Sequence, residues 1–306
     1  MSSLTRDVDG AIAETAWKLL GAVGMSTSTT TAVGIPVDVE SALVLAAMSA
    51  DGRLVEEARD WAVTYQDLIA RPALKRRIAA LDDAMSERWA SFATPLGPWM
   101  SGAFPGAERG ADSTWSPTRR TRRASIGADP AWSLLRYRAV FGTQARASVL
   151  HLLANPDIGR GWTADALARS TGYAKYSVRE ALDRLAEAGV VRIVRVGNAD
   201  RFSAVEPLAI QGLAGDPGRS IVDASLVLDA FLHLRRAAVA IDGGGKVAGA
   251  ITAHTELQAG EHVLGSLHLP APDRADSAQA LATVLSRYVA HSAERLAGVE
   301  RALWPW

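Results

Sequence analysis

Apolar residues recur every three or four positions along much of the chain, which is the spacing of one helix face. Ile12, Ala16 and Leu19 share such a face near the beginning of the sequence. Further helices are predicted around Leu43, over residues 56–69 and over residues 72–89. We therefore expect an N-terminal helical domain over residues 1–93.

The pattern changes between residues 94 and 130, where prolines and glycines interrupt the helical spacing. This Pro/Gly/Arg-rich composition is typical of a linker, and the segment contains a basic cluster at Arg119, Arg120, Arg122 and Arg123. Helical spacing returns after Pro207 and is clearest over residues 277–302, where an amphipathic helix is predicted. We expect residues 207–306 to form a C-terminal helical domain for dimerisation or sensing.

Between these regions, the sequence predicts three helices that are joined by short connections. A helix is predicted over residues 144–154, and a second over residues 163–170 begins at Thr163, whose hydroxyl suits an N-cap. Gly172 provides the backbone freedom that a tight turn needs. The third helix, over residues 174–188, ends at Gly189 and turns one apolar face inward, formed by Val178, Ala181, Leu182 and Leu185.

A β-hairpin is predicted directly after this third helix. Residues 190–196 are rich in β-branched side chains, residues 197–200 suit a turn, and residues 201–205 can return as a second strand. This order predicts a winged helix-turn-helix domain over residues 131–206. The expected fold class is mainly α, with this central domain flanked by N- and C-terminal helical regions.

The third helix and the hairpin carry the candidate DNA-binding side chains. The N-terminal part of a recognition helix enters the major groove, where long polar side chains reach base edges and phosphates. Charged residues beside a hairpin turn can meet the phosphate backbone or enter the minor groove. The predicted DNA-binding residues are Lys175, Tyr176, Ser177 and Arg179 on the helix, and Arg195, Asn198 and Arg201 on the hairpin.

The distribution of charge supports this interpretation, although the total does not. The 306-residue chain has 33 basic and 33 acidic residues and a formal net charge of zero. Residues 116–206 nevertheless contain 15 basic and 8 acidic residues, which gives this segment a charge of +7. A basic middle between acidic ends is expected when one segment faces a polyanion.

Composition also excludes several kinds of site. The chain has no cysteine, so it has no disulfides, thiolate metal sites or cysteine nucleophiles. Residues 242–247 contain three glycines and a lysine but lack the spacing of a phosphate-binding loop, and no HExxH motif or nucleophile elbow is present. We expect a protein that is not an enzyme and needs no cofactor or metal. No stretch is apolar enough to span a bilayer, so we expect a cytoplasmic protein without a membrane partner.

The central segment resembles the winged helix-turn-helix of the ArsR and MarR groups of bacterial regulators. The resemblance covers under a quarter of the chain and is carried by Arg146–Leu150, Ala166–Ala168, Thr171–Tyr173, Ser177–Leu182, Leu185–Val191 and the basic hairpin. It implies a dimer that binds a roughly twofold-symmetric operator, most often as a repressor. Two features depart from these groups: Ala174 stands where a polar residue is usual, and neither the cysteine sites nor an obvious histidine site of the metal-sensing members is present.

The sequence therefore predicts a DNA-binding transcriptional regulator, in the form of a dimeric repressor. Its expected partners are double-stranded DNA, a second copy of the chain, and an unknown small-molecule or protein effector. The alternative is a protein-interaction module, such as the antitoxin or adaptor of a defence or toxin system, because winged helices also contact proteins. In that alternative, the same side chains contact a protein instead of DNA.

Overall fold

The computed structural model describes residues 3–25, 36–100, 104–106, 115–117, 126–155, 161–217, 224–244, 246–261 and 264. Within these ranges the chain forms twelve α-helices and one two-stranded sheet, which confirms the prediction of a mainly α protein. The helices are α1 (Ser3–Ala22), α2 (Val39–Met48), α3 (Gly52–Thr64), α4 (Arg71–Ile78), α5 (Asp83–Ala93), α6 (Ser133–Phe141), α7 (Ala145–Leu153), α8 (Ala164–Thr171), α9 (Lys175–Glu187), α10 (Pro207–Ala214), α11 (Ala224–Gly243) and α12 (Lys246–Ala259). The strands are β1 (Val191–Val196) and β2 (Ala199–Ala204).

The first hydrophobic core surrounds α2. All ten residues of α2 are buried, so this helix needs neighbours on every side. Helices α1, α3, α4, α5 and α11 pack around it, and α12 packs on α11. The chain segments 1–93 and 207–306, which the sequence assigned to separate domains, thus both contribute helices to one core.

Aspartates determine where several of these helices begin. The carboxylates of Asp38, Asp51 and Asp82 accept hydrogen bonds from backbone amides in the first turns of α2, α3 and α5. The prediction of one helix over residues 72–89 is wrong, because α4 ends at Ile78 and Asp82 starts a new helix. The first core therefore contains two short helices where the spacing predicted one.

Parts of the segment predicted as a linker pack against the first core. Phe104 is buried beside Trp89, with 5.9 Å between ring centroids. The indole of Trp115 donates a hydrogen bond to the carboxylate of Glu56. These aromatic contacts hold the described residues of the segment on the helical core.

A second hydrophobic core lies between α6, α7, α8, α9, α10 and the hairpin. Its buried side chains include Val149, Leu167, Val178, Leu182 and Phe202. The strands pair antiparallel in a register that runs from Val191 opposite Ala204 to Val196 opposite Ala199. Helix α6 belongs to both cores, with Leu135 in the first and Tyr137 in the second.

None of the helices in the described part of the chain is long and apolar enough to cross a bilayer. The helix predicted over residues 277–302 and the arginines at 119–123 lie outside the described residues.

Candidate nucleic-acid interface

The tight connection between α8 and α9 positions the candidate interface. Thr163 caps α8 by accepting a 3.1 Å hydrogen bond from the amide of Ala166, which confirms the predicted N-cap. Gly172 follows the helix with φ +67°, a left-handed conformation that glycine adopts without a Cβ clash. Tyr173 then turns into the second core and donates a 2.6 Å hydrogen bond to the carbonyl of Thr143. The first turn of α9 is thereby fixed relative to α7.

Arg77 of α4 supports this turn from the first core. A Cβ added to Gly172 would lie 2.5 Å from Arg77 Nη1, so the guanidinium touches the glycine backbone. Arg77 Nη2 lies 2.7 Å from Asp38 Oδ2, and Nε donates to the hydroxyl of Ser41 at 3.0 Å. Burial opposes ionisation of Asp38, but the charge of Arg77 and its hydrogen bonds hold the pKa of Asp38 well below its usual range. A buried ion pair of the helical core therefore lies directly behind the turn.

A second buried ion pair lies close to the first. Arg138 of α6 donates to both carboxylate oxygens of Glu40 at 2.8 and 2.9 Å, and also to the carbonyl of Leu68. The amide of Ala70 donates to the same Glu40 carboxylate at 2.6 Å. Buried charges are tolerated when they are paired and hydrogen-bonded. This pair ties α2 of the first core to α6, which also belongs to the second.

The predicted residues at the start of α9 lie on its outer surface, and Ser177 is less exposed than Lys175 and Tyr176. Lys175 and Tyr176 are exposed, and the Lys175 ammonium lies 2.9 Å from a carboxylate oxygen of Asp165 in α8. Tyr176 is 79% exposed, the largest value among the exposed large apolar and aromatic side chains of the described residues. Ser177 is only half-buried and therefore partly accessible. The structure thus brings the cationic and hydroxyl groups of this turn to one outward face.

Arg179 differs from its neighbours because several groups hold its guanidinium. Its Nε donates to Asp183 Oδ1 at 3.0 Å, and its Nη1 donates to Asp200 Oδ2 at 3.1 Å. The guanidinium carbon lies 5.4 Å from the ring centroid of buried Phe202. Hydrogen bonds to the two carboxylates raise the pKa of Arg179, although burial opposes this slightly. The side chain remains charged and connects α9 to β2.

The hairpin residues lie beside this cluster. Arg195 is exposed, with Nη1 3.6 Å from Asp200 Oδ1, and Asn198 is exposed in the turn. Arg201 is half-buried and donates to the carbonyl of Gly161 at 3.3 Å. Arg192, which the sequence reasoning did not select, is also exposed on β1. The signal that could have identified it is a second arginine in the same short β-branched run, three positions before Arg195.

The two parts of the surface carry different charge. Helix α9 contains three cationic and three acidic side chains, so its net charge is zero. The hairpin strands contain Arg192, Arg195 and Arg201 against a single acid, Asp200. The excess of positive charge therefore comes from the hairpin. The carboxylates Asp183 and Asp200 were missed as site residues, although Asp183 stands four positions after Arg179, a spacing that pairs side chains on a helix.

Apolar side chains are also exposed beside the arginines. Ile193, Val194 and Val196 of β1 reach the surface, as do Leu208 and Leu213 of α10.

Comparison of the chain with protein-family models, with curated proteins and with solved structures finds no match in any of the three.

Proposed function

We propose that residues 131–206 act as a winged helix-turn-helix domain that binds double-stranded DNA, and that the protein is a sequence-specific transcriptional regulator. The order of α7, α8, the turn at Gly172, α9 and the hairpin supports this proposal. The observation that carries it is the outward face formed by Lys175 and Tyr176 next to an arginine-rich hairpin. In this arrangement α9 reads the major groove and the hairpin follows the phosphate backbone.

The proposed assembly on DNA is a homodimer that acts as a repressor. A twofold axis presents two copies of α9 to half-sites about one helical turn apart, which matches a symmetric operator. The helical core around α2 would receive an unidentified small-molecule or protein effector. The proposed location is the cytoplasm, where the chromosome of a bacterial cell lies.

The test is selection of bound sequences from a pool of random DNA duplexes by the full chain, followed by titrations at several salt concentrations. The wild-type chain should enrich one symmetric motif. Replacing Arg195 or Arg201 with alanine should weaken binding to all sequences similarly and reduce the slope of log affinity against log salt by about 1. Arg53→Ala is the control, because Arg53 is an exposed arginine on α3 in the first core. Failure of the wild-type chain to enrich any sequence contradicts the proposal.

A second candidate function is the protein-interaction module. The observation that favours it is a shallow depression on α9 lined by one tyrosine and by side chains of both charges, namely Tyr176, Arg179, Glu180, Asp183, Arg184 and Glu187. Tyrosine and arginine are enriched at protein interfaces and often contribute most of the binding energy. A stable complex with a protein encoded beside this one, lost on Tyr176→Ala, would support this function if no duplex is enriched.

A further inference from the structure

Arg179 is held in place by two elements of the fold at once. Asp183 lies one turn further along α9, whereas Asp200 belongs to β2 and reaches Arg179 only because the hairpin folds back on the helix. The ring of Phe202, which is fully buried, lies against the guanidinium. Arg179 itself is not buried, since its side chain is 43% exposed. The structure therefore presents a fixed guanidinium at the surface.

Other arginines of the same surface lack this arrangement. Arg184 makes a 3.0 Å pair with Glu180 on its own helix and is 75% exposed. Arg195 is 69% exposed and lies 3.6 Å from Asp200. A long side chain that is immobilised before binding loses less conformational entropy when it forms new hydrogen bonds. The preorganised guanidinium of Arg179 thus suits a contact with fixed geometry, whereas the more exposed Arg184 and Arg195 suit contacts that require no fixed orientation.

The hydrogen-bonding groups around Arg179 favour a base over a phosphate. A guanidinium has five N–H donors, and the ion pairs with Asp183 and Asp200 use the Nε donor and one Nη1 donor. The remaining donors can bind O6 and N7 of guanine, which arginine contacts in a bidentate manner. The neighbouring Asp183 carboxylate can accept from N4 of cytosine. A phosphate at the same place would face two carboxylates, and like charges repel.

We propose that Arg179 recognises a guanine in the major groove, and that Asp183 and Asp200 are the residues that position it. This inference rests on the proposed DNA-binding function and extends it to specificity. Because two carboxylates already compensate the Arg179 charge, this side chain contributes base discrimination and almost nothing to salt-dependent affinity. The hairpin arginines contribute the salt-dependent part.

The test uses selection from random duplexes with two double variants of unchanged net charge. Arg179→Met/Asp183→Asn removes the guanidinium that is proposed to contact guanine, together with one of its carboxylate partners. Arg184→Met/Glu180→Gln removes a neighbouring ion pair of the same helix and is the control. The wild-type chain should enrich a motif with one guanine at a fixed position in each half-site. The first variant should lose preference at that position by about 5- to 150-fold, the range for one bidentate pair, with an unchanged salt slope. The control variant should keep the motif.

Two single variants separate positioning from general folding. Arg179→Lys keeps the charge but replaces the planar guanidinium with one ammonium, which cannot bind Asp183 and Asp200 and still present two fixed donors, so it should weaken the guanine preference and keep its affinity for random duplex. Asp200→Asn should weaken the preference at the same position only. Circular dichroism shows whether each variant is folded.

Three negative outcomes are distinguishable. A wild-type motif that persists unchanged in Arg179→Met/Asp183→Asn and in Arg179→Lys overturns the inference and leaves the proposed function intact. A loss spread equally over all motif positions also overturns it. If the wild-type chain itself enriches no sequence, the proposed function fails, and the inference fails with it.

Discussion

Replacing Gly172 with alanine tests how closely the helical core supports the turn before α9. The residue has φ +67°, and its backbone lies against the guanidinium of Arg77. An added methyl group would come within 2.5 Å of Arg77 Nη1 and 2.9 Å of its Cζ. The guanidinium cannot move aside freely, because Asp38 holds it at 2.7 Å and Ser41 at 3.0 Å. The substitution therefore creates both backbone strain and a clash with a buried ion pair.

The two contributions can be estimated separately. A left-handed conformation costs an L-residue about 1–2 kcal/mol. Loss of one partner from a buried ion pair costs about 3–5 kcal/mol. Gly172→Ala should therefore lower the free energy of unfolding by about 4–7 kcal/mol if the methyl group displaces Arg77 from Asp38. Gly189→Ala is the matched control, since φ is +72° there and no atom lies within 4 Å of the added Cβ. It should cost only about 1–2 kcal/mol.

Urea denaturation of the full chain, followed by circular dichroism, measures these losses. Hydrogen exchange of the α8 and α9 amides shows whether the second core opens first. The same substitution in an Arg77→Met background should cost no more than Gly189→Ala, because the clash is gone. Equal losses for Gly172→Ala and Gly189→Ala in the wild-type background would refute the reasoning.

Three further predictions concern the surroundings of the turn. Arg138→Met should cost about 3–5 kcal/mol in urea denaturation. Burial already raises the pKa of Glu40 to about 7, so without Arg138 its carboxyl group must either take up a proton or remain a buried unpaired charge, and adding Glu40→Gln should recover part of this loss. Burial and the nearby arginines lower the pKa of His151 from 6.5 to about 3. Protonation therefore favours the unfolded chain, and the free energy of unfolding falls as the pH drops from 6.5 towards 3. In His151→Gln, the urea midpoint should decrease less steeply over this pH range. Tyr173→Phe removes the hydrogen bond to Thr143 and leaves a carbonyl without that donor, so it should lower the free energy of unfolding by about 1–3 kcal/mol. It should also speed hydrogen exchange of the amides at the start of α9. An unchanged exchange rate would show that the hydroxyl does not fix the turn.

The sequence predicted α7, α8, α9 and the hairpin of the second core well because their signals are local. Thr163 caps α8 and Gly172 ends it, and Gly189 stands two positions after the end of α9. The run of β-branched residues after Gly189 forms β1, as expected. Each of these signals depends on residues fewer than about ten positions apart, so that spacing and propensity suffice.

The first core could not be predicted in the same way. Its assembly depends on contacts between distant segments, such as the 2.9 Å hydrogen bond from Arg235 of α11 to Asp9 of α1. Asp38–Arg77 and Glu40–Arg138 also join residues far apart in the sequence. Helical spacing predicts that a helix has an apolar face but does not identify the helix that covers it. Pairing of distant segments appears only when the chain is folded.

The candidate site combines both kinds of information. Arg179 was selected because it lies on the exposed side of α9, and its partner Asp183 stands at helical spacing in the sequence. Asp200 joins them only through the hairpin register that places it opposite Arg195. The neutral net charge of α9 therefore does not argue against the proposed function. In that proposal, α9 discriminates between bases through fixed donors and acceptors, and the adjacent hairpin provides the cations that attract any duplex.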